Sequence, residues 1–393
     1  MHLKYISRLL AAAAVLLLAA SCVYPFSAET EDGSGSLVVD GDIRLGEYTT
    51  VVLRYSTPIE TPKTNDMVKN GKVWVEDDRG RVFEGLPEPD SPGYYKVDTR
   101  QAAPGPKYRL CINNGDTGRE YVSDWEEANP SPVIDSLSYI LDYDRSKMDI
   151  AISIHSTSSS YFKWKYVEDW EYHTMYYASL TYIPPEVDRW GRALSNWNLV
   201  SSSGEAFTCW AHKASSEIMI FSTEKQTEDR FVDLEFHSIP RNDMRISQIY
   251  RIEVTLEPLT RDAYLYWDNV RTNSEYTGNL FAPTPSEMAG NIHCLQNPDE
   301  YVLGYVSVAQ FARKILYVFN TEVRFYSNPT QLVEPSQIGP GQWFSYYKDG
   351  YLPYDYYRPG DISETLWLPD RCVDCRLMGG TTQKPDYWLK DLD

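Results

Sequence analysis

Between Leu37 and Ile112 the chain consists of short runs that alternate apolar and polar residues, each closed by Gly, Pro, Asn or Asp. That pattern suits strands with one buried face. It excludes amphipathic helices, whose apolar residues recur at third and fourth positions. Leu37-Val38-Val39-Asp40-Gly41-Asp42-Ile43 reads as a strand entering a turn, and Val51-Val52-Leu53-Arg54-Tyr55 as the next strand. Lys72 to Asp77 alternates, Asp78-Arg79-Gly80 turns it back, and Arg81-Val82-Phe83 returns as the second arm of a hairpin. Gly93 to Val97 and Tyr108 to Ile112 continue the series at about ten-residue spacing, which predicts an immunoglobulin-like β-sandwich over 37–129. The Glu76-Asp77-Asp78 cluster falls in the hairpin turn and reads as solvated rather than as a calcium site.

Asn129-Pro130-Ser131-Pro132 is a stiff connector and marks a boundary. A larger β-rich domain with one or two helices is expected over 133–393. Ile150, Ile152 and Ile154 share a face. So do Phe162, Trp164 and Tyr166, with Lys163 and Lys165 opposite. Ile218 to Phe221 and Ile249 to Leu256 read as further strands, and Val302 to Ala309 and Ile315 to Phe325 as the last ones. Thr260 caps a predicted helix running to about Arg271. Residues 174–204, with Pro184-Pro185, Trp190 and Trp197, read as an irregular binding loop. Residues 346–357, with Tyr351 and Tyr354, read as an ordered loop offering a contact surface. Gly278 to Cys294 reads as a stiff crossover or a ligand-contact loop, anchored by Phe281.

The start of the chain reads as an export signal. Lys4 and Arg8 precede the apolar run Leu9 to Ala20, too short to cross a bilayer, and Leu18-Ala19-Ala20-Ser21-Cys22 has the small residues of a lipoprotein cleavage site. Residues 1–21 are read as the signal peptide, with Cys22 lipidated as the mature N-terminus. Residues 22–36 form an acidic tether suited to display at the cell surface. The net charge is −19, and more negative still once Lys4 and Arg8 leave with the signal, which argues against nucleic acid as a partner. Aromatic residues make up 14 %, including 31 Tyr and 11 Trp, too many for a disordered chain and mostly suited to cores and cross-strand pairs.

Six cysteines leave five after lipidation of Cys22, so at least one is unpaired in an oxidising compartment. Cys111 lies in a strand-like run and reads as a buried hydrophobe. Cys209, Cys294, Cys372 and Cys375 allow two disulfides in three pairings. The competing readings of Cys372-x-x-Cys375 are a redox pair and, with His293 and Cys294, half a metal site. The staple fits best, because it ties an irregular tail to the body and the ligand spacing of zinc sites is incomplete. No metal or cofactor site is expected.

One ordered set of motifs resembles a known family. It comprises Leu37-Val38-Val39-Asp40-Gly41, Ile134-Asp135-Ser136-Leu137, Trp170-Glu171-Tyr172, Gly278-Asn279-Leu280-Phe281-Ala282-Pro283, Gly290-Asn291-Ile292-His293-Cys294 and Val302-Leu303-Gly304-Tyr305. It closes with Cys372-Val373-Asp374-Cys375 and Lys384-Pro385-Asp386-Tyr387-Trp388. In this order they are similar to a Bacteroidota outer-membrane lipoprotein family known as a domain of unknown function (number 4249). The resemblance implies a setting beside TonB-dependent outer-membrane transporters and carries no chemistry.

The residues themselves show no catalytic motif. Nucleophile elbows, phosphate loops and His-Glu-x-x-His are absent from the sequence, and His212 beside Cys209 reads as structural. Glu168 and Asp169 are adjacent on a strand, so they face opposite ways and make no glycosidase pair. The expected protein is therefore not an enzyme. It is a mostly-β, lipid-anchored accessory that binds a ligand for a TonB-dependent β-barrel transporter. The alternative is a surface adhesin or structural interaction module without a transport role.

Overall fold

The alternating runs pair as their period predicts. The computed structural model describes residues 35–56, 66–192, 198–276, 290–326 and 333–390. Leu37–Asp40, Tyr48–Tyr55 and Tyr94–Asp98 form one antiparallel layer, and Gly71–Asp77, Lys107–Asn114 and Arg119–Ser123 the other. Val82–Pro87 pairs with Gly71–Asp77 through its first half and with Tyr94–Asp98 through its second, so it joins the layers. The inward side chains of both layers, among them Val51, Leu53, Tyr95, Val73, Val75 and Leu110, meet in one core, with Cys111 also buried. Asp77 closes the hairpin turn by accepting from the N–H groups of Arg79 and Arg81 at 3.0 and 2.8 Å.

The predicted boundary needs correction, because residues 37–129 do not complete this sandwich alone. Ile292–Cys294 adds a strand beside Arg119–Ser123, and Val308–Ala309 pairs in parallel with Ile43–Arg44. Ile292, Cys294, Val302, Val306 and Val308 fill the same core. The return is fixed by close packing at Gly290, where a Cβ would lie 1.8 Å from the Gly304 carbonyl oxygen. Asn291 clasps Val306 on both its N–H and its C=O, at 2.8 and 2.9 Å.

The second unit is also a two-layer β structure. Lys147–His155 lies between Val133–Asp142 and Arg230–Pro240 in one sheet. Tyr161–His173 is the spine of the other: Thr208–Ala214 and Met219–Ser222 share one of its edges and Ile249–Pro258 takes the other, followed by Ala312–Phe319. Ile150, Ile152, Ile154, Phe162, Trp164, Tyr250, Ile252 and Val254 form the core between the sheets. The predicted helix runs over Arg261–Tyr276, with the Thr260 hydroxyl accepting from the Ala263 N–H at 3.1 Å. Two further short helices, Asn320–Val323 and Trp343–Lys348, bring the α-helices among the described residues to three. The first of these ends the last predicted strand at Phe319.

The two units meet over buried charge. Lys163, on the face of Tyr161–His173 turned away from the core, is 3 % exposed. Its ammonium lies 3.0 Å from Asp42 of the first unit, 2.8 Å from Glu257 and 4.3 Å from the centre of the Trp267 ring. Burial opposes ionisation of Asp42, but Lys163 holds it below the usual carboxylate range. Burial and the neighbouring Asp42 push Glu257 up to about 7.

Two segments read from sequence as loops carry regular structure. Leu180–Ile183 and Asn198–Ser201 pair as a hairpin within the predicted irregular stretch. Residues 346–357 contribute the end of helix Trp343–Lys348 and the strand Tyr351–Tyr356. That strand pairs with Thr365–Pro369, which pairs in turn with Ser336–Ile338. Pro353 is tolerated because its strand is the edge of this small sheet and is irregular there.

Candidate functional site

The elements that departed furthest from expectation enclose a cavity of about 540 Å³. Its walls are the Leu180–Ile183 hairpin strand, the end of helix Trp343–Lys348, the start of strand Tyr351–Tyr356 and the tail segment 370–377. The size lies within the roughly 300–1,000 Å³ of small-molecule sites. A rigid aromatic base supports it. Trp367 is fully buried, with Tyr182 at 5.5 Å and Trp343 at 6.5 Å between ring centres. Tyr347 packs on Tyr182 at 5.2 Å, and Tyr346 meets the Tyr351 ring edge-on at 5.3 Å.

The tail wall is held by a disulfide between Cys209 and Cys375, which closes a sequence separation of 166 residues. The Tyr172 hydroxyl donates to the Cys375 carbonyl at 2.8 Å, and Trp210 and Thr381 exchange backbone hydrogen bonds at 2.8 and 2.9 Å. The expected pair of disulfides is corrected to this one. Cys294 is a free thiol in the first sandwich core, and Cys372 is a half-buried free thiol on the tail. Burial and the adjacent Asp370 raise the Cys372 thiol pKa, which keeps it protonated. Cys372-x-x-Cys375 is therefore neither a bridged redox pair nor half a metal site with His293. That histidine turns outward on its strand to Asp124 at 3.0 Å. Among the described residues no group of three or more His, Cys, Asp or Glu could hold a metal ion.

Polar groups line the cavity in balanced charge: Lys348 and Arg376 against Asp370 and Asp374. Arg376 clamps Asp374 through Nε and Nη2 at 2.9 and 2.7 Å, and this pairing raises its pKa. Asp370 Oδ1 accepts from the Arg371 N–H at 2.7 Å, leaving Oδ2 uncommitted. The Lys348 ammonium sits 5.2 Å from the Phe344 ring centre and makes no ion pair among the described residues.

Of the residues expected to bind, Tyr351 lines the cavity. Trp190 projects beside it: it is 64 % exposed, flanked by Arg189 and Arg192, and precedes Gly191, whose Cβ position is 3.7 Å from Lys348 Nζ. Tyr354 is structural, with its ring against Tyr176 at 5.1 Å and its carbonyl accepting from the Ser179 N–H at 2.8 Å. Cys22, Trp197 and Phe281 lie outside the described residues. Sequence reasoning missed Lys348, Asp370 and Arg376. The only available signal was the charged flanks of the Cys372-x-x-Cys375 motif.

A smaller cleft of about 340 Å³ lies along the same tail at Gly379, Gly380 and Tyr387. Here the buried Asp169 accepts from Tyr387 at 2.9 Å and from Arg251 at 2.9 Å, and its Oδ1 lies 2.7 Å from His212 Nδ1. Glu168, next in the chain, turns the other way to His237, Arg245 and Tyr250. His212 is oriented as a base would be, but among the described residues no hydroxyl or thiol is hydrogen-bonded to it. Burial and Asp169 push Tyr387 up to about 12, so its phenol stays protonated.

No curated protein matches the sequence. Among solved structures, the chain is similar to a two-fibronectin type-III domain segment of chicken tenascin, at 12 % identity over 58 % of this chain and 91 % of that one, with a TM-score of 0.17. It is also similar to the FN1–FN3 domains of chicken CNTN1, at 10 % identity over 78 % and 70 %, with a TM-score of 0.16. At such TM-scores the likeness carries no argument, and the β architecture rests on the strand pairings alone. A family model matches residues 23–315, three quarters of the sequence, and the chain belongs to that family, the Domain of unknown function (DUF4249).

Proposed function

We propose that this is a ligand-capturing lipoprotein of a Bacteroidota outer membrane, anchored at Cys22, displayed at the cell surface and working beside a TonB-dependent β-barrel transporter. The observation that carries the reading is the preformed cavity between the Leu180–Ile183 hairpin and the disulfide-held tail, with uncommitted polar groups beside aromatic faces. The signal-like stretch ending at Cys22 and the acidic tether supply the setting.

The test is affinity purification of the tagged protein from outer membranes in mild detergent, followed by mass spectrometry. A stoichiometric large β-barrel supports the transporter role. Recovery of the chain alone sinks that role and leaves a free-standing surface binder or adhesin. Replacing Cys22 with Ala should release the chain from the membrane, and unchanged membrane localisation would count against the anchor.

A further inference from the structure

The cavity's chemistry narrows what it takes. Its charged groups cancel in pairs although the whole chain carries −19, so the site selects neither a cation nor an anion by field. Its uncommitted groups are of both kinds. Lys348 Nζ and the outer edge of the Arg376 guanidinium are donors, and Asp370 Oδ2 is an acceptor. The Tyr347 and Tyr351 hydroxyls, which serve as either, make no hydrogen bond among the described residues. A vicinal diol matches such a set, since each hydroxyl both donates and accepts, and a planar Arg–Asp pair presents its groups in one plane as a diol requires. The rings of Tyr347 and Tyr351 offer apolar faces to the C–H faces of a sugar ring.

A small anion would meet Asp370 and Asp374 as well as the cations. An extended peptide would add to an unpaired sheet edge, and on the wall strand Tyr351–Tyr356, an edge strand, Pro353 removes a backbone donor and the pairing is irregular. Resting on the reading of this cavity as the ligand site, we infer that it binds a neutral saccharide of one or two rings, stacked on Tyr351 and hydrogen-bonded by Lys348, Asp370 and Arg376.

The experiment uses the full mature chain in detergent. Saturation-transfer NMR and calorimetry are run with neutral mono- and disaccharides (hexoses, pentoses, N-acetylhexosamines, maltose, cellobiose and lactose), with glucuronate, and with a neutral tripeptide. The inference expects at least one neutral sugar to bind saturably, with affinity reduced tenfold or more by Tyr351→Ala and by Lys348→Met. Lys348 is exposed, so the second variant tests the site without threatening the fold. If glucuronate or the tripeptide binds instead and those variants weaken it, the saccharide assignment is overturned while the ligand site stands. If nothing in the panel binds, or a sugar binds with affinity indifferent to both variants, the saccharide inference and the cavity reading both fall.

Discussion

Glu126 should make the first unit less stable as the solution becomes more alkaline, and Glu126→Gln should abolish that loss. One carboxylate oxygen accepts from the Tyr305 hydroxyl at 2.7 Å and from Asn291 Nδ2 at 3.1 Å, but the other is buried with no donor. Burial, with Asp124 and Asp42 nearby, therefore pushes the group up to about 7 from 4.5. A carboxyl whose pKa is higher folded than unfolded gives its full contribution below the unfolded value and loses it as pH rises through the folded one. At about 1.4 kcal/mol for each pH unit, the contribution at stake is on the order of 3 kcal/mol, nearly all of it lost by about pH 8. Glutamine imitates the protonated acid: it keeps an acceptor for Tyr305 and places a neutral group at the unpaired oxygen. Calorimetric melting of both proteins across about pH 5 to pH 8 should show midpoints that nearly coincide at the acid end. The variant should be several degrees higher at the alkaline end. Glu257 titrates in both proteins, so its effect cancels in the difference. A constant offset at every pH, or a gap that opens toward acid, would refute the assignment of this pKa to Glu126.

Three other outcomes follow from the packing. Cys209→Ser should lower stability by up to about 5 kcal/mol in a chain-entropy account of a loop this long, and non-reducing peptide mapping of the parent should recover the Cys209–Cys375 pair with Cys111, Cys294 and Cys372 as thiols. Thr260→Ala removes the hydrogen bond to Ala263 and should cost about 1 kcal/mol, read as a lower unfolding midpoint. Trp367→Ala empties the base of the cavity and should cost about 3–5 kcal/mol, with loss of near-ultraviolet circular dichroism from the stacked rings.

The parts of the fold legible in sequence are those whose information is local. Alternation and turn residues specify the hairpins of the first unit, and the change of period after Thr260 specifies the helix. Lys163 was not legible as a buried residue. On a half-exposed strand a lysine opposite Phe162 and Trp164 belongs in water. It is buried here because Asp42 and Trp267, from distant parts of the chain, close over that face. The return of Ile292 to the first sandwich is equally non-local, since three residues beside Arg119–Ser123 carry no periodicity to read. Within the Tyr- and Pro-rich stretch 346–357, the strand Tyr351–Tyr356 forms against Thr365–Pro369, a partner its own sequence does not announce.

The candidate site was the least legible part for the same reason, and this bears on what family membership can convey. The matched region, 23–315, contains the first sandwich, the second up to the middle of its last strand Ala312–Phe319, and the hairpin wall of the cavity. Lys348, Tyr351, Asp370 and Arg376 all lie beyond it, on a tail held by the bond to Cys209, the backbone pairing at Trp210 and hydrogen bonds such as Ser179–Tyr354 and Ala206–Cys375. Membership of the family therefore describes the scaffold, whereas the proposed binding groups are set by the tail. Exchanging the tail while keeping Cys375 and Thr381 would change the ligand without disturbing either core. Loosening it by reduction should weaken binding before it unfolds the sandwiches, whose cores contain neither cysteine of the bridge.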